Sequence, residues 1–220
     1  MLSSPPTSAS AADRVYATTK EAIISGATPG GALLSEAEVA RSLQVSRTPA
    51  REAFVRLAAE GLLTLMPRRG AVVTPLTPTE AVDLLEVRHA LELGAVTRLS
   101  RLAPAARERR LDPAAAAIAD QARALEAGDI SGFIAADERF HGDLVRAAEN
   151  AIATGFYATL ADRQRRMTAL AIQVNESRLV HFLPEHRDLL RRAVDGDGAG
   201  FSSVLWGHLR DTHVALAPTL

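Results

Sequence analysis

The chain has 220 residues, 47% of them hydrophobic, which is enough for one large or two modest domains with a real core. It contains no cysteine, so a disulfide framework, a thiolate metal site and a cysteine nucleophile are excluded. No segment approaches the roughly 18 uninterrupted apolar residues of a membrane span, and residues 1–12, rich in Ser, Ala and Pro, lack the basic head and apolar run of a signal peptide. They read as a disordered tail, and a cytoplasmic location is expected.

From Asp13, the residues Val15, Thr18, Thr19, Ala22 and Ile23 recur on one face with Arg14, Lys20 and Glu21 between them. That is an amphipathic helix, ended by Ser25-Gly26 and the turn Thr28-Pro29-Gly30-Gly31. Ala32-Leu33-Leu34 is short enough for a small strand. Ser35 followed three residues later by Glu38 has the spacing of a capping box, and Val39, Ala40 and Leu43 then mark the buried side of a short helix. Gln44-Val45-Ser46 interrupts it. A second helix comes next, with Ser46 as its cap, Pro49 in its first turn and Ala50, Phe54 and Leu57 along its inner face. Two short helices joined by such a turn form a helix-turn-helix.

Ala59-Glu60-Gly61 stops the second helix. The β-prone runs Leu62–Leu65 and Ala71–Thr74 then flank Met66-Pro67-Arg68-Arg69-Gly70, which predicts a hairpin and, with the helices before it, a winged helix over residues 13–74. In such motifs the start of the second helix reaches base edges and phosphates. Ser46, Arg47, Thr48 and Arg51 stand there, and Arg68, Arg69 and Gly70 form the hairpin tip. Guanidinium forks suit guanine edges and phosphates. A single arginine on that helix is equally well explained as solvated surface, whereas at the hairpin tip contact with a phosphate or a minor groove is favoured over charge placed simply for solubility.

Leu43-x-Val45-Ser46-Arg47-Thr48-Pro49-x-Arg51-Glu52-Ala53 closely resembles the DNA-reading helix of the GntR superfamily of bacterial transcription regulators. Gly61-Leu62-Leu63 and Pro67-Arg68-Arg69-Gly70-Ala71 resemble its wing. One departure is Ala37, which stands where some relatives place an arginine, so half-site preference is expected to differ. Asp13 to Leu76 carries eight basic and six acidic side chains, a surplus of +2, whereas Thr77 to Leu220 sums to −3. A surplus that small is a weak footprint for a polyanion, so tight binding of a double-stranded, near-palindromic operator calls for a homodimer.

Thr74-Pro75-Leu76-Thr77-Pro78 is a proline-containing connector, and residues 75–79 are read as a linker. Residues 80–217 then read as an all-helical antiparallel bundle of six or seven helices, which makes the whole chain mainly α. Thr77 or Thr79 caps a helix from about Pro78 to Leu102. Pro104 and Asp112-Pro113 are expected to interrupt the chain beyond it, leaving a helix over Ala114–Ala127 closed by Gly128. Asp129 opens a helix through Ala147, Asn150 one through about Asn175, and Ser177 or Phe182 one through Val194. The last runs from Ala199 to Leu216 after the turn Asp195-Gly196-Asp197-Gly198.

In this half Asp137 and His141 lie four apart on one helix, with His186 and His208 on two later ones. Three imidazoles and a carboxylate suit zinc, nickel, manganese or iron rather than calcium. By spacing alone, a histidine on a helix is more often an ordinary core or surface residue. Asp137-x-x-Phe140-His141, Asn150, Glu185-His186, Gly196-Asp197 and His208-Leu209, with Arg88-x-x-Leu91-Glu92 before them, resemble the FCD ligand-binding domain of the FadR branch of the same superfamily.

The resemblance implies that Asp137, His141, His186 and His208 hold a divalent metal, zinc favoured, and that a small carboxylate effector binds in the same cavity. Arg88 would be its counter-charge, or else the partner of Glu92 or Asp137 in a buried salt bridge. His89, His181 and His213 match nothing in the pattern and read as surface residues or as neighbours of the ligands. The expected protein is a DNA-binding regulator and not an enzyme. A metal-dependent hydrolase is the rival from another class, weakened by the absence of a His-Glu-x-x-His helix and of a glycine-rich phosphate loop. A regulator whose helical domain only dimerises, without metal, is the third reading.

Overall fold

A computed structural model describes residues 10–218. The tail expected over residues 1–12 lies mostly outside the described residues. Its last two members instead open the first helix, because the Ser10 hydroxyl accepts the Asp13 amide at 3.0 Å. The chain forms two compact units that divide between Leu76 and Thr77.

The first unit runs α1 (Ala11–Ile24), β1 (Leu33–Leu34), α2 (Glu36–Ser42), α3 (Arg47–Ala59), β2 (Leu63–Met66) and β3 (Gly70–Val73). The three strands form an antiparallel sheet in the order β1-β3-β2, with Leu33 opposite Val72 and Leu65 opposite Ala71. Ile23, Phe54, Leu57, Leu62, Leu63, Ala71 and Val73 make one core cluster, and Val15, Ala40, Ala50 and Ala53 seal the contact of α1 with the two helices of the motif. The turn between α2 and α3 is tighter than its sequence suggests. Gln44 takes a left-handed φ of 55°, and the Val45 and Gln44 amides bond back to the Ala40 and Arg41 carbonyls, the double closure usually built on glycine. Ser46 occupies the cap position of α3, but its side chain makes no capping bond. The expected hydroxyl cap is therefore absent.

The second unit holds α4 (Pro78–Leu99), α5 (Pro104–Glu126), α6 (Ile130–Ala147), α7 (Ala151–Val174), a single 3₁₀ turn over Glu176–Arg178, α8 (Leu179–Asp195) and α9 (Gly198–His213). Side chains of Thr77, Asp129 and Asn150 cap α4, α6 and α7 at the expected places, and Asp197, expected only as part of a turn, caps α9 by accepting the Gly200 amide. Pro113 does not break α5, contrary to expectation. It faces solvent with the Arg109 residue whose carbonyl it leaves unbonded, while Leu111, Ala114, Ala117, Ile118 and Gln121 keep an uninterrupted buried stripe. Pro184 sits inside α8 in the same way, on an exposed face.

Candidate functional site

In the first unit, Arg47 and Arg51 on α3 and Arg68, Arg69 and Gly70 on the hairpin line one groove of about 530 Å³. Val55, Leu65 and Met66 also line it, together with Ala37 and Glu36 from α2. Thr48 lies on the adjoining face beside Arg51 and Glu52, and Ser46 is exposed at the helix start. The four guanidiniums are exposed and make no ion pair or hydrogen bond within the described residues. Arg56, further along the same helix, is the contrast: it bonds Asp13 at 2.7 Å and lies over the Tyr16 ring at 4.0 Å. Its charge is used inside the fold, whereas the groove's four guanidiniums have no such partner among the described residues. Gly70 is needed for the wing to close, since φ is +105° and an added Cβ would stand 2.1 Å from the Leu34 carbonyl oxygen.

In the second unit, α6 contributes Asp137 and His141, α8 His186 and α9 His208, all buried, with ligand atoms within 4.8 Å of one another. The His186 Nε2 is 3.2 Å from that of His141, 3.4 Å from that of His208 and 3.4 Å from Asp137 Oδ1. Each imidazole is held from behind. His141 Nδ1 donates to Glu92 Oε2 at 2.8 Å, His186 Nδ1 to Gln121 Oε1 at 2.7 Å, and His208 Nδ1 to Glu185 Oε2 at 2.7 Å. Phe140 stacks on His186 at 4.5 Å and fixes the ring plane.

Burial holds all three imidazoles well below their ordinary pKa, so they are neutral and carry one hydrogen each. With that hydrogen on Nδ1, three Nε2 lone pairs point at one spot. Asp137 Oδ1, without a hydrogen-bond partner, joins them. Burial lifts this carboxyl to about 6, against the pull of Arg88. Lone pairs that converge without a proton between them repel unless a cation stands there. Two nitrogens bound at about 2.1 Å to one ion are roughly 3.0 to 3.4 Å apart, so the spacing fits a shared divalent metal.

Arg88 lies behind this quartet, fully buried, with its Nε on Glu92 Oε1 at 2.8 Å. Of its two expected partners for a salt bridge, Glu92 is the one engaged, and Nη2 is left without a partner. Tyr157 also donates to Glu92 Oε1, at 2.8 Å. Of the unassigned histidines, His181 is exposed, whereas His89 bonds Ser202 at 2.9 Å and stacks on Trp206, so it joins α4 to α9. His213 is buried. Gln121 and Tyr157 had no signal in the sequence, because their neighbours in the fold come from distant helices.

Residues 83–211 match the FCD domain family, and residues 11–73 match the family described as bacterial regulatory proteins, gntR family. An HTH-type transcriptional regulator from the unstable DNA locus of Streptomyces ambofaciens is 31% identical over 89% of this chain and 80% of that protein. The probable D-xylose utilization operon transcriptional repressor of Paenarthrobacter nicotinovorans is 34% identical over 80% of this chain and 75% of its own length. Among solved structures, a GntR transcriptional regulator from Rhodococcus sp. RHA1 superposes with a TM-score of 0.75 at 23% identity, covering 95% of this chain and 98% of that one. McbR/YncC of Escherichia coli gives 0.72 at 22%, with the same coverage of each chain, and both show the fold.

Proposed function

The chain belongs to the GntR family of DNA-binding transcriptional regulators and carries an FCD domain, and from that premise we propose that its operator affinity is set by a small carboxylate bound beside a divalent metal in the second unit. The observation that carries this reading is the set of three imidazoles whose Nδ1 atoms are occupied and whose Nε2 atoms converge with Asp137. Asp137, His141, His186 and His208 would hold the ion, with zinc favoured by the nitrogen-rich donor set. Such an ion would supply open coordination positions for a carboxylate. Arg88, already buried at the site, is the counter-charge for that anion.

On the DNA side, Arg47, Arg51, Arg68 and Arg69 meet the operator, with Ser46, Thr48 and the Gly70 turn positioning them. A homodimer on a near-palindromic site is supported by the weak charge surplus of the first unit. It is also supported by an apolar face on α4 and α7, where Val87, Ile152 and Phe156 are 47%, 73% and 65% exposed beside the small residues Ala90, Gly94 and Gly155. The expected linker of residues 75–79, whose last two residues already belong to the first turn of α4, is the connection through which the second unit, expected over residues 80–217, influences the winged helix of residues 13–74. Repression is the favoured direction, since a relative that covers most of this chain is named as an operon repressor.

No helix among the described residues is long and apolar enough to cross a membrane, and a protein that acts on bacterial DNA works in the cytoplasm. The relatives are regulators rather than enzymes, which removes the hydrolase reading. An effector shifts DNA binding only by its differential affinity for two states, typically about 1 to 3 kcal/mol. Titrating carboxylates into metal-replete protein on its operator tests the reading: roughly a fivefold to hundredfold change in affinity is expected on that scale. No change with any acid would refute it.

A further inference from the structure

Asp137, His141, His186 and His208 are all buried, so an ion reaches them only through a local opening of the second unit. The groups that hold the imidazoles from behind show where that opening lies. Glu92 on α4 and Gln121 on α5 are fully buried. Glu185 on α8 is not: its side chain is 25% exposed, and it alone of the three reaches solvent.

Glu185 is held at both oxygens. Its Oε2 accepts from His208 Nδ1 at 2.7 Å, and its Oε1 accepts from Arg178 Nη2 at 2.7 Å. Arg178 closes the 3₁₀ turn between α7 and α8, and its own side chain is 16% exposed. One chain of hydrogen bonds therefore runs from the surface to a candidate ligand, through Arg178, Glu185 and His208.

The segment that carries Arg178 has little apolar anchorage. α7 ends at Asn175, whose backbone leaves the helical region at φ −146° and ψ 81°, and residues 173–177 are all exposed. Leu179 is the first apolar side chain after them to enter the core, beside Ile172 and Phe182. Around Asp137 and His141, by contrast, α6 buries Phe133, Phe140, Leu144 and Val145. Segments with few buried apolar contacts open locally at a small part of the free energy of global unfolding, whereas well-packed helices open last.

We propose that the Arg178–Glu185 pair is the latch on the route by which a metal ion enters and leaves, with His208 as the ligand that swings clear when the latch opens. This inference rests on the proposed function, in which the quartet holds a divalent metal. Arriving and departing ions pass the same latch. Its loss therefore speeds both passages by one factor and leaves their ratio, the dissociation constant, where it was. A residue that only oriented His208 would behave differently, since its loss would speed release alone and weaken affinity in proportion.

The test is stopped-flow exchange of Zn²⁺ on the full-length protein, with release measured into an excess of chelating dye and uptake by metal-stripped protein measured from the zinc left for the dye. Arg178→Met keeps the length of the side chain and removes its charge. Both rates are expected to rise by roughly threefold to thirtyfold, the worth of a half-exposed charged hydrogen bond, while the Kd from dye competition stays at the wild-type value. Arg178→Lys, which restores a cation, should bring both rates most of the way back. Arg187→Met, on an exposed face of α8, should change neither.

Hydrogen exchange read by mass spectrometry on the wild-type, zinc-loaded protein is a second measurement that needs no variant to fold. Residues 175–183 should exchange well ahead of residues 133–141. Equal protection of the two segments overturns the latch. So do unchanged rates in Arg178→Met, and so does faster release with a Kd weakened to match, which would make Arg178 a support for His208 and nothing more. A wild-type protein that takes up no zinc overturns the metal reading itself.

Discussion

Replacing Glu92 by Gln removes one charge at almost constant shape, and its consequences can be worked out atom by atom. Glu92 is fully buried and accepts three hydrogen bonds, from Arg88 Nε, Tyr157 and His141 Nδ1. Glutamine has only one accepting oxygen. If that oxygen turns to Arg88 and Tyr157, the amide NH₂ faces His141 and drives its hydrogen from Nδ1 to Nε2, where it blocks the metal. If it turns to His141, the guanidinium faces a donor.

Either way Arg88 keeps its charge and loses its anion, which for a buried pair costs about 3 to 5 kcal/mol. For a chain of this size each kcal/mol lowers Tm by roughly 2 to 4 °C, so calorimetry should show a drop of about 6 to 20 °C in the second unit's transition. Metal affinity, measured by competition with a chelating dye, should fall about tenfold to hundredfold, the usual effect of losing a partner behind a ligand. Tyr157→Phe is the control. It removes one bond and leaves the Arg88–Glu92 pair and the His141 tautomer in place, so metal affinity should hold. If Glu92→Gln keeps both the wild-type Tm and the wild-type metal affinity, the reasoning about the tautomer and the buried pair is wrong.

The groove and the quartet carry further expectations. Arg47→Ala should weaken specific operator binding by about 1 to 3 kcal/mol and relax preference at one base pair, whereas Arg68→Ala should weaken all sequences alike and flatten the salt dependence by about one phosphate contact. Filter binding at several salt concentrations distinguishes the two. Arg56→Ala, whose guanidinium is occupied by Asp13 and Tyr16, should leave DNA affinity unchanged under the same assay. Gly70→Ala must displace the wing from β1, given the 2.1 Å approach to Leu34, and should lower DNA affinity with little effect on the second unit's melting. Chelation should destabilise the second unit by about 2.7 kcal/mol when free metal had stood at about a hundred times its Kd, and scanning calorimetry before and after readdition of zinc would show it.

What could be read from the sequence was whatever is decided locally. The caps Ser35, Thr77, Asp129 and Asn150 and the hairpin turn act within a few residues of themselves, so their spacing carried the helix starts and the wing. Pro113 defeated local reasoning. A proline's cost in a helix depends on whether the carbonyl it frees reaches water, and burial of the opposite face decided that. Gln44 closes α2 without the glycine that announces such a turn. The four candidate ligands were legible only through the family pattern, since helical spacing relates Asp137 to His141 but not to His186 or His208. Glu92, Gln121 and Tyr157 take their meaning from partners 49 to 65 residues away. No short window holds that information.

Elemental analysis of protein purified without chelator, for wild type beside His186→Ala, tests the central claim most directly. The account predicts stoichiometric divalent metal in the wild type and its loss from the variant. A wild type free of metal that also declines added zinc, or a variant that retains the full complement, would contradict it.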